Sequence, residues 1–84
     1  MDQVYQIEGV SLTVQMPAEL DHPSSKKKKK ETDFYLENYH IQHIIFDFRN
    51  TNFMGSSGIG VMAGRYRLLD LRGGSVEAVH VSER

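Results

Sequence analysis

Phe53-Met54-Gly55-Ser56-Ser57-Gly58-Ile59-Gly60 joins an apolar run, Ile41 to Phe48, to a segment of helical periodicity, Ile59 to Leu71. Reading this junction as the end of a strand and the start of a helix decides the fold. Ile41-Gln42-His43-Ile44-Ile45-Phe46-Asp47-Phe48 is nearly continuous in bulky β-formers, the pattern of a strand covered on both faces in the centre of a partly parallel sheet. Beyond the junction, Ile59, Met62, Tyr66 and Leu69 fall on one face of a helix. Arg65, Arg67, Asp70 and Arg72 lie mostly off that stripe, which places Arg65 on the exposed face. Ser56 and Ser57 then stand at a helix start. Its unpaired N–H groups and partial positive charge suit a capping hydroxyl or a phosphate.

Outward from this junction the rest of the chain falls into place. Val4 to Ile7 is β-prone, Glu8-Gly9 is a turn, and Val10, Leu12, Val14 and Met16 alternate with polar residues as in a half-buried strand. Together they predict an N-terminal hairpin, which Pro17 ends for want of an N–H. Ala18 to Ser25 reads as a loop leading into a helix from Ser24 to about Asn38, with Asp21 or Ser24 as cap and Pro23 suited to its start. The five lysines from Lys26 to Lys30 give that helix no apolar stripe, and only Leu36, with Phe34 or Tyr35 and Tyr39, can pack. Fraying or disorder is expected there. Arg49 to Asn52 is a polar turn, Phe53-Met54 re-enters the core, and Gly73-Gly74 closes the second helix. Ser75 to Val81 is a final strand, with Val76, Ala78 and His80 on one side. The order β-β-α-β-α-β contains two strand–helix–strand units. It predicts an α/β fold, a mixed β-sheet with helices packed on it.

Eighty-four residues, 1–84, are read as a single small domain. The chain has no cysteine, which excludes disulfides and thiolate metal sites. No apolar run reaches the roughly 20 residues that span a bilayer, and the N-terminus has no signal-peptide pattern. The reading is a soluble cytoplasmic protein. The formal net charge of −1 is uneven: without the lysine run, five arginines face eleven acids, a net −6. An acidic body argues against a nucleic-acid surface spread over the fold.

Other chemistries fit poorly. Neither serine satisfies G-x-S-x-G, because Gly55 precedes Ser57 by two residues but Ile59 stands where the closing glycine is needed. Gly58, Gly60 and Gly64 are spaced one residue too long for a dinucleotide fingerprint and read as close helix–strand packing, and there is no P-loop. His22, His40, His43 and His80 lie on different predicted elements, so neither a metal nor a cofactor is expected. The lysine run reads as a solvated helix start rather than as a lipid or nucleic-acid site. No convergent set of polar groups suggests a small-molecule pocket.

Glu19-Leu20-Asp21-His22, His43 to Phe48, Phe53 to Val61, Gly64-Arg65-Tyr66 and Gly73-Gly74 together resemble the STAS domain, and more narrowly the bacterial anti-sigma-factor antagonists of the sporulation type. The similarity runs from about Val4 to Val81 with its spacing kept. It implies a non-enzymatic regulator that binds an anti-sigma factor, itself a serine kinase, and so releases a sigma factor. The family's phosphorylated serine maps onto Ser56, and phosphorylation ends the binding. On this reading Gly55, Ser56, Ser57, Gly58, Ile59 and the exposed face with Arg65 form the contact surface, bordered by Asp21 and His22, which are read as capping and loop-shaping residues. Two departures stand out. Gly55 replaces the aspartate that precedes the family's serine, and the sequence ends at Arg84, before the further C-terminal helix that the resemblance implies. An uncovered apolar face would favour a homodimer. From a different class comes an interaction module that keeps the fold without phosphorylation and binds constitutively or self-associates.

Overall fold

The structure, a computed structural model, describes residues 4–81. The side chains of Phe53, Met54 and Ser57 lie outside what it describes, and with them the expectation that Phe53-Met54 re-enters the core. The elements run β1 (Tyr5–Glu8), β2 (Ser11–Gln15), β3 (Glu19–Leu20), α1 (His22–Asn38), β4 (His43–Asp47), β5 (Phe53–Met54), α2 (Ser56–Leu71) and β6 (Ser75–Val79).

Four strands form the main sheet in the order β1-β2-β4-β6. β1 pairs antiparallel with β2 through a turn at Gly9, whose φ of 62° suits a residue without Cβ. β2, β4 and β6 are parallel, with α1 and α2 as the crossovers, so the sheet is mixed as the sequence predicts. The register aligns Leu12 with Ile44 and Val76, and Val14 with Phe46 and Ala78. These rows face the helices, where Leu12, Val14, Ile44 and Phe46 are buried with Met16, Leu20, Leu36, Ile41, Phe48 and Leu69. β4 is central. Its other face is less covered than its continuous apolar run suggests, since His43 and Ile45 remain half-buried there.

That second face is largely polar. Ser11, Thr13 and Gln15 align with His43, Ile45 and Asp47, and those with Ser75, Glu77 and Val79. It therefore does not supply the broad apolar surface expected to drive dimerisation. Exposed apolar groups are scattered instead, among them Ile7 of β1, Phe34 of α1, Ala78 of β6 and, at 81% exposure, Leu71 of α2.

The first helix corrects the sequence reading most. It runs unbroken from His22 to Asn38, lysines included. Asp21 is the N-cap: its carboxylate accepts the Ser24 N–H at 3.0 Å, and Ser24 Oγ accepts the Asp21 N–H at 3.0 Å, a capping box with serine in the reciprocal place. The buried stripe is Ser25, Lys28, Thr32 and Leu36, correctly spaced for a helix but mostly polar. Thr32 Oγ1 donates to the Lys28 carbonyl at 2.8 Å. Lys28 lays its stem inward and sets its ammonium 4.9 Å from the centre of the Tyr5 ring and 3.8 Å from Glu31. Burial pulls the Lys28 pKa down, and Glu31 partly restores it.

The second helix is shifted in phase from the expected stripe. Its buried positions are Gly58, Val61, Arg65 and Leu69, whereas Ile59 is 54% and Tyr66 56% exposed. Arg65, expected on the exposed face, is buried. At the C-terminus the Gly73 N–H bonds the Asp70 carbonyl at 3.1 Å and the Gly74 N–H bonds the Leu69 carbonyl at 2.7 Å, a Schellman motif with Gly73 at φ 78°. Gly74 also has no room for a side chain, because a Cβ would run into the Gln42 carbonyl oxygen. β6 ends two residues before the expected limit. His80 turns to φ 57° and its Nδ1 returns to Asp47 Oδ1 at 2.9 Å.

Candidate functional site at the paired helix starts

A second, two-stranded sheet, β3 with β5, fixes where both helices begin. The sequence reading leaves β3 within a loop and gives β5 no strand of its own. Glu19 pairs with Phe53 and Leu20 with Met54 in parallel, and the Gly55 N–H donates to the Leu20 carbonyl at 3.0 Å. The Asn52 N–H reaches the Ala18 carbonyl at 2.8 Å, and Thr51 Oγ1 donates to the Pro17 carbonyl at 2.8 Å. Each strand runs directly into its helix, so the N-caps, Asp21 of α1 and Gly55 of α2, lie at the same end of the pair.

The two helix starts differ electrostatically. At α1 the Asp21 carboxylate closes the capping box, and the Ser24 hydrogen bonds hold its carboxyl below the usual range. At α2 Gly55 is the cap with an extended φ of −81° and ψ of 176° and offers no side chain, and the first turn carries no acidic residue. Neither serine is the cap that local preference suggests. Ser56 is the first helical residue and is exposed. The α2 N-terminus thus keeps its partial positive charge without a carboxylate nearby in its own turn.

Most of the expected contact residues gather here. Asp21 and His22 are exposed at the start of α1, Ser56 and Ile59 are exposed in the first turn of α2, and Gly55 is half-buried between them. Gly58 is buried and donates its N–H to the Gly55 carbonyl at 3.0 Å. Ser57 contributes backbone at the second helical position. Arg65 lies apart from this surface and below it, with Nη1 2.6 Å from Asp33 Oδ1 of α1, so it braces the helices against each other.

Sequence reasoning missed a groove beside these starts. It is about 320 Å³ and lies between α1 and α2, with His22, Ser25, Lys26 and Lys29 on one wall and Gly60, Val61, Gly64 and Arg65 on the other. Gly60 and Gly64, read as packing glycines, meet nothing: a Cβ on either would have no atom within 4 Å. Among the described residues, no group of three or more His, Asp or Glu could hold a metal ion, and no helix is long and apolar enough to cross a membrane.

A further polar cluster sits at the C-terminal end of β4. Buried Asp47 accepts from the Arg49 N–H at 2.9 Å, Gln15 Nε2 at 3.1 Å and His80 Nδ1. The Arg49 N–H, ahead of the other donors, holds its carboxyl below the usual carboxylate range despite burial.

Comparison with known proteins supplies the context for this geometry. The anti-sigma F factor antagonist of Paenibacillus polymyxa is 35% identical over 71 residues, 84% of this chain and 61% of that protein. The chain thus spans about three-fifths of the length of this curated relative. The anti-sigma factor antagonist SpoIIAA in its unphosphorylated form superposes with a TM-score of 0.82 at 25% identity, over 93% of this chain and 74% of SpoIIAA. The Bacillus cell fate determinant SpoIIAA in its phosphorylated form superposes with a TM-score of 0.78 at 26% identity, over 94% of this chain and 74% of that one. With a match to the STAS domain over residues 3–84 and this α/β architecture, the chain belongs to the STAS domain family.

Proposed function

We propose that this chain is an anti-sigma-factor antagonist. It binds an anti-sigma factor of the serine-kinase type, acts in the cytoplasm and catalyses no reaction itself. The contact surface is the paired helix starts: Asp21, His22, Gly55, Ser56, Ser57, Gly58 and Ile59, with Arg65 setting the position of α2 from behind. Ser56 is the switch. The observation that carries this reading is the placement of an exposed Ser56 hydroxyl at the first position of α2, pinned next to the Asp21 loop by the β3–β5 pair. A family member of 35% identity that is an anti-sigma F factor antagonist supports it.

The chemistry of the switch follows from charge. A phosphate adds about −1.5 to −2 charge at neutral pH. On Ser56 it meets the uncompensated N-terminus of α2, where Gly55 brings no carboxylate to repel it, so the chain itself tolerates the group. The cost falls on the partner, whose complementary surface then meets new negative charge. Incubation with ATP and the cognate kinase, followed by mass spectrometry, tests the assignment. One phosphate on Ser56 is expected. Phosphate on Ser57, or on neither serine, overturns it.

Gly55 also favours a second reading, an interaction module that keeps this surface without phosphorylation and binds constitutively or as a homodimer. The exposed Leu71 at the end of α2 and Ala78 of β6 would serve self-association. A clean monomer in light scattering counts against that part.

A further inference from the structure

The groove between α1 and α2 has features that packing does not require. Glycine is among the poorest residues for a helix interior, and Gly60 and Gly64 both occupy α2 where a methyl group would meet nothing within 4 Å. What the two glycines do accomplish is to keep the groove open. At about 320 Å³ it falls at the small end of ligand pockets. Two of its walls carry buried donors without partners: Ser25, 2% exposed, leaves Oγ unbonded, and Arg65, 8% exposed, leaves Nε unbonded. Buried polar groups are ordinarily satisfied, so unbonded donors on two residues that line one groove point to an acceptor. The charges agree. Lys26 and Lys29 stand on the wall opposite the glycines, and because Asp33 neutralises Arg65 the local balance is +2 in a chain that is otherwise acidic.

We infer that this groove binds a small soluble phosphomonoester, its dianion held between Lys26 and Lys29 with Ser25 Oγ and Arg65 Nε as donors. A phosphomonoester approaches two negative charges at neutral pH, which matches the two lysines, and its oxygens can accept from several donors at once. The glycine wall leaves room for the body of the ligand. The lysine run is thereby divided: Lys26 and Lys29 line the groove, whereas Lys27 and Lys30 do not. The inference is independent of any switch at Ser56, and a Ser56→Ala chain binds equally well.

Titration of the full chain with inorganic phosphate at constant ionic strength, followed by amide NMR, tests it. Saturable shifts are expected at Ser25, Gly60, Gly64 and the Arg65 side chain. Lys26→Gln with Lys29→Gln weakens binding about tenfold, whereas the charge-matched control, Lys27→Gln with Lys30→Gln, changes it by less than about twofold. Gly64→Leu, whose side chain projects from α2 into the open space, blocks the groove and abolishes the shifts. Shifts that do not saturate, equal losses in the two lysine pairs, or Gly64→Leu binding as the parent does would overturn the proposal. So would binding to vesicles containing phosphatidic acid with none to free phosphate, since that assigns the lysines to a membrane surface.

Discussion

The Arg65 guanidinium and the Asp33 carboxylate meet at 2.6 Å across the two helices, with the Arg65 side chain 10% and the Asp33 side chain 36% exposed. The pair is asymmetric. One partner is shut away from water and the other can still be hydrated, so the two truncations should not cost the same. Asp33→Ala strands a buried cation and should lower stability by about 3 kcal/mol, whereas Arg65→Met leaves a hydrated carboxylate and should cost about half of that or less. Urea unfolding of both variants measures the difference. Equal losses, or a larger loss in Arg65→Met, would contradict the bracing role.

Lys28 gives the opposite expectation. Its side chain is buried, and its contacts are one weak ion pair with Glu31 and the Tyr5 ring. An apolar chain of similar length keeps the packing and drops the desolvation, so Lys28→Met should leave stability within about 1 kcal/mol of the parent or raise it. A loss beyond about 2 kcal/mol in urea unfolding would show that the charge itself holds α1 to the sheet.

The glycines separate by geometry. Gly74→Ala forces a Cβ into the Gln42 carbonyl at the start of β6 and should be among the most damaging single changes, whereas Gly73→Ala, at φ 78°, should cost about 1 kcal/mol. Thermal melts rank them. A Gly74→Ala protein as stable as Gly73→Ala would mean that the α2–β6 connection is looser than described.

Asp47 predicts the acid limb of stability. Its folded pKa lies below the unfolded value of about 3.9, so folding favours the ionised form. The stabilisation is complete above that unfolded value and is lost as pH falls through the folded pKa. Asp21, lowered by the Ser24 cap, acts with the same sign. Tm should therefore drop as pH falls below about 4, and Asp47→Asn should flatten that drop while lowering Tm at neutral pH. A parallel pair of Tm–pH curves would remove Asp47 from the account.

The main sheet and the helix count are legible because their signals are periodic and apolar: the Leu12–Val14–Met16 alternation, the run at β4 and the glycines after α2. The misreading of each helix hides a polar residue inside. The α1 stripe of Ser25, Lys28, Thr32 and Leu36 reads as solvated because nothing in the sequence shows that Tyr5 and Glu31 would receive Lys28. The α2 face is misread by one position because Ile59 and Tyr66 outrank Arg65 in hydrophobicity, and the carboxylate that lets Arg65 be buried lies 32 residues earlier. β3 and β5 are two residues long, too short for any period, yet they position the site. Ser56 at the start of α2 is legible from the strand–helix junction. The groove beside it is not, because its walls come from separate helices.

The most direct test of the central claim is the affinity of this chain for an anti-sigma factor kinase before and after phosphate is placed on Ser56. The account predicts tight binding by the unphosphorylated chain, unchanged in Ser56→Ala, and a loss of about tenfold or more once Ser56 carries phosphate. Equal affinity in the two states would contradict the switch, and no binding in either state would contradict the antagonist role itself.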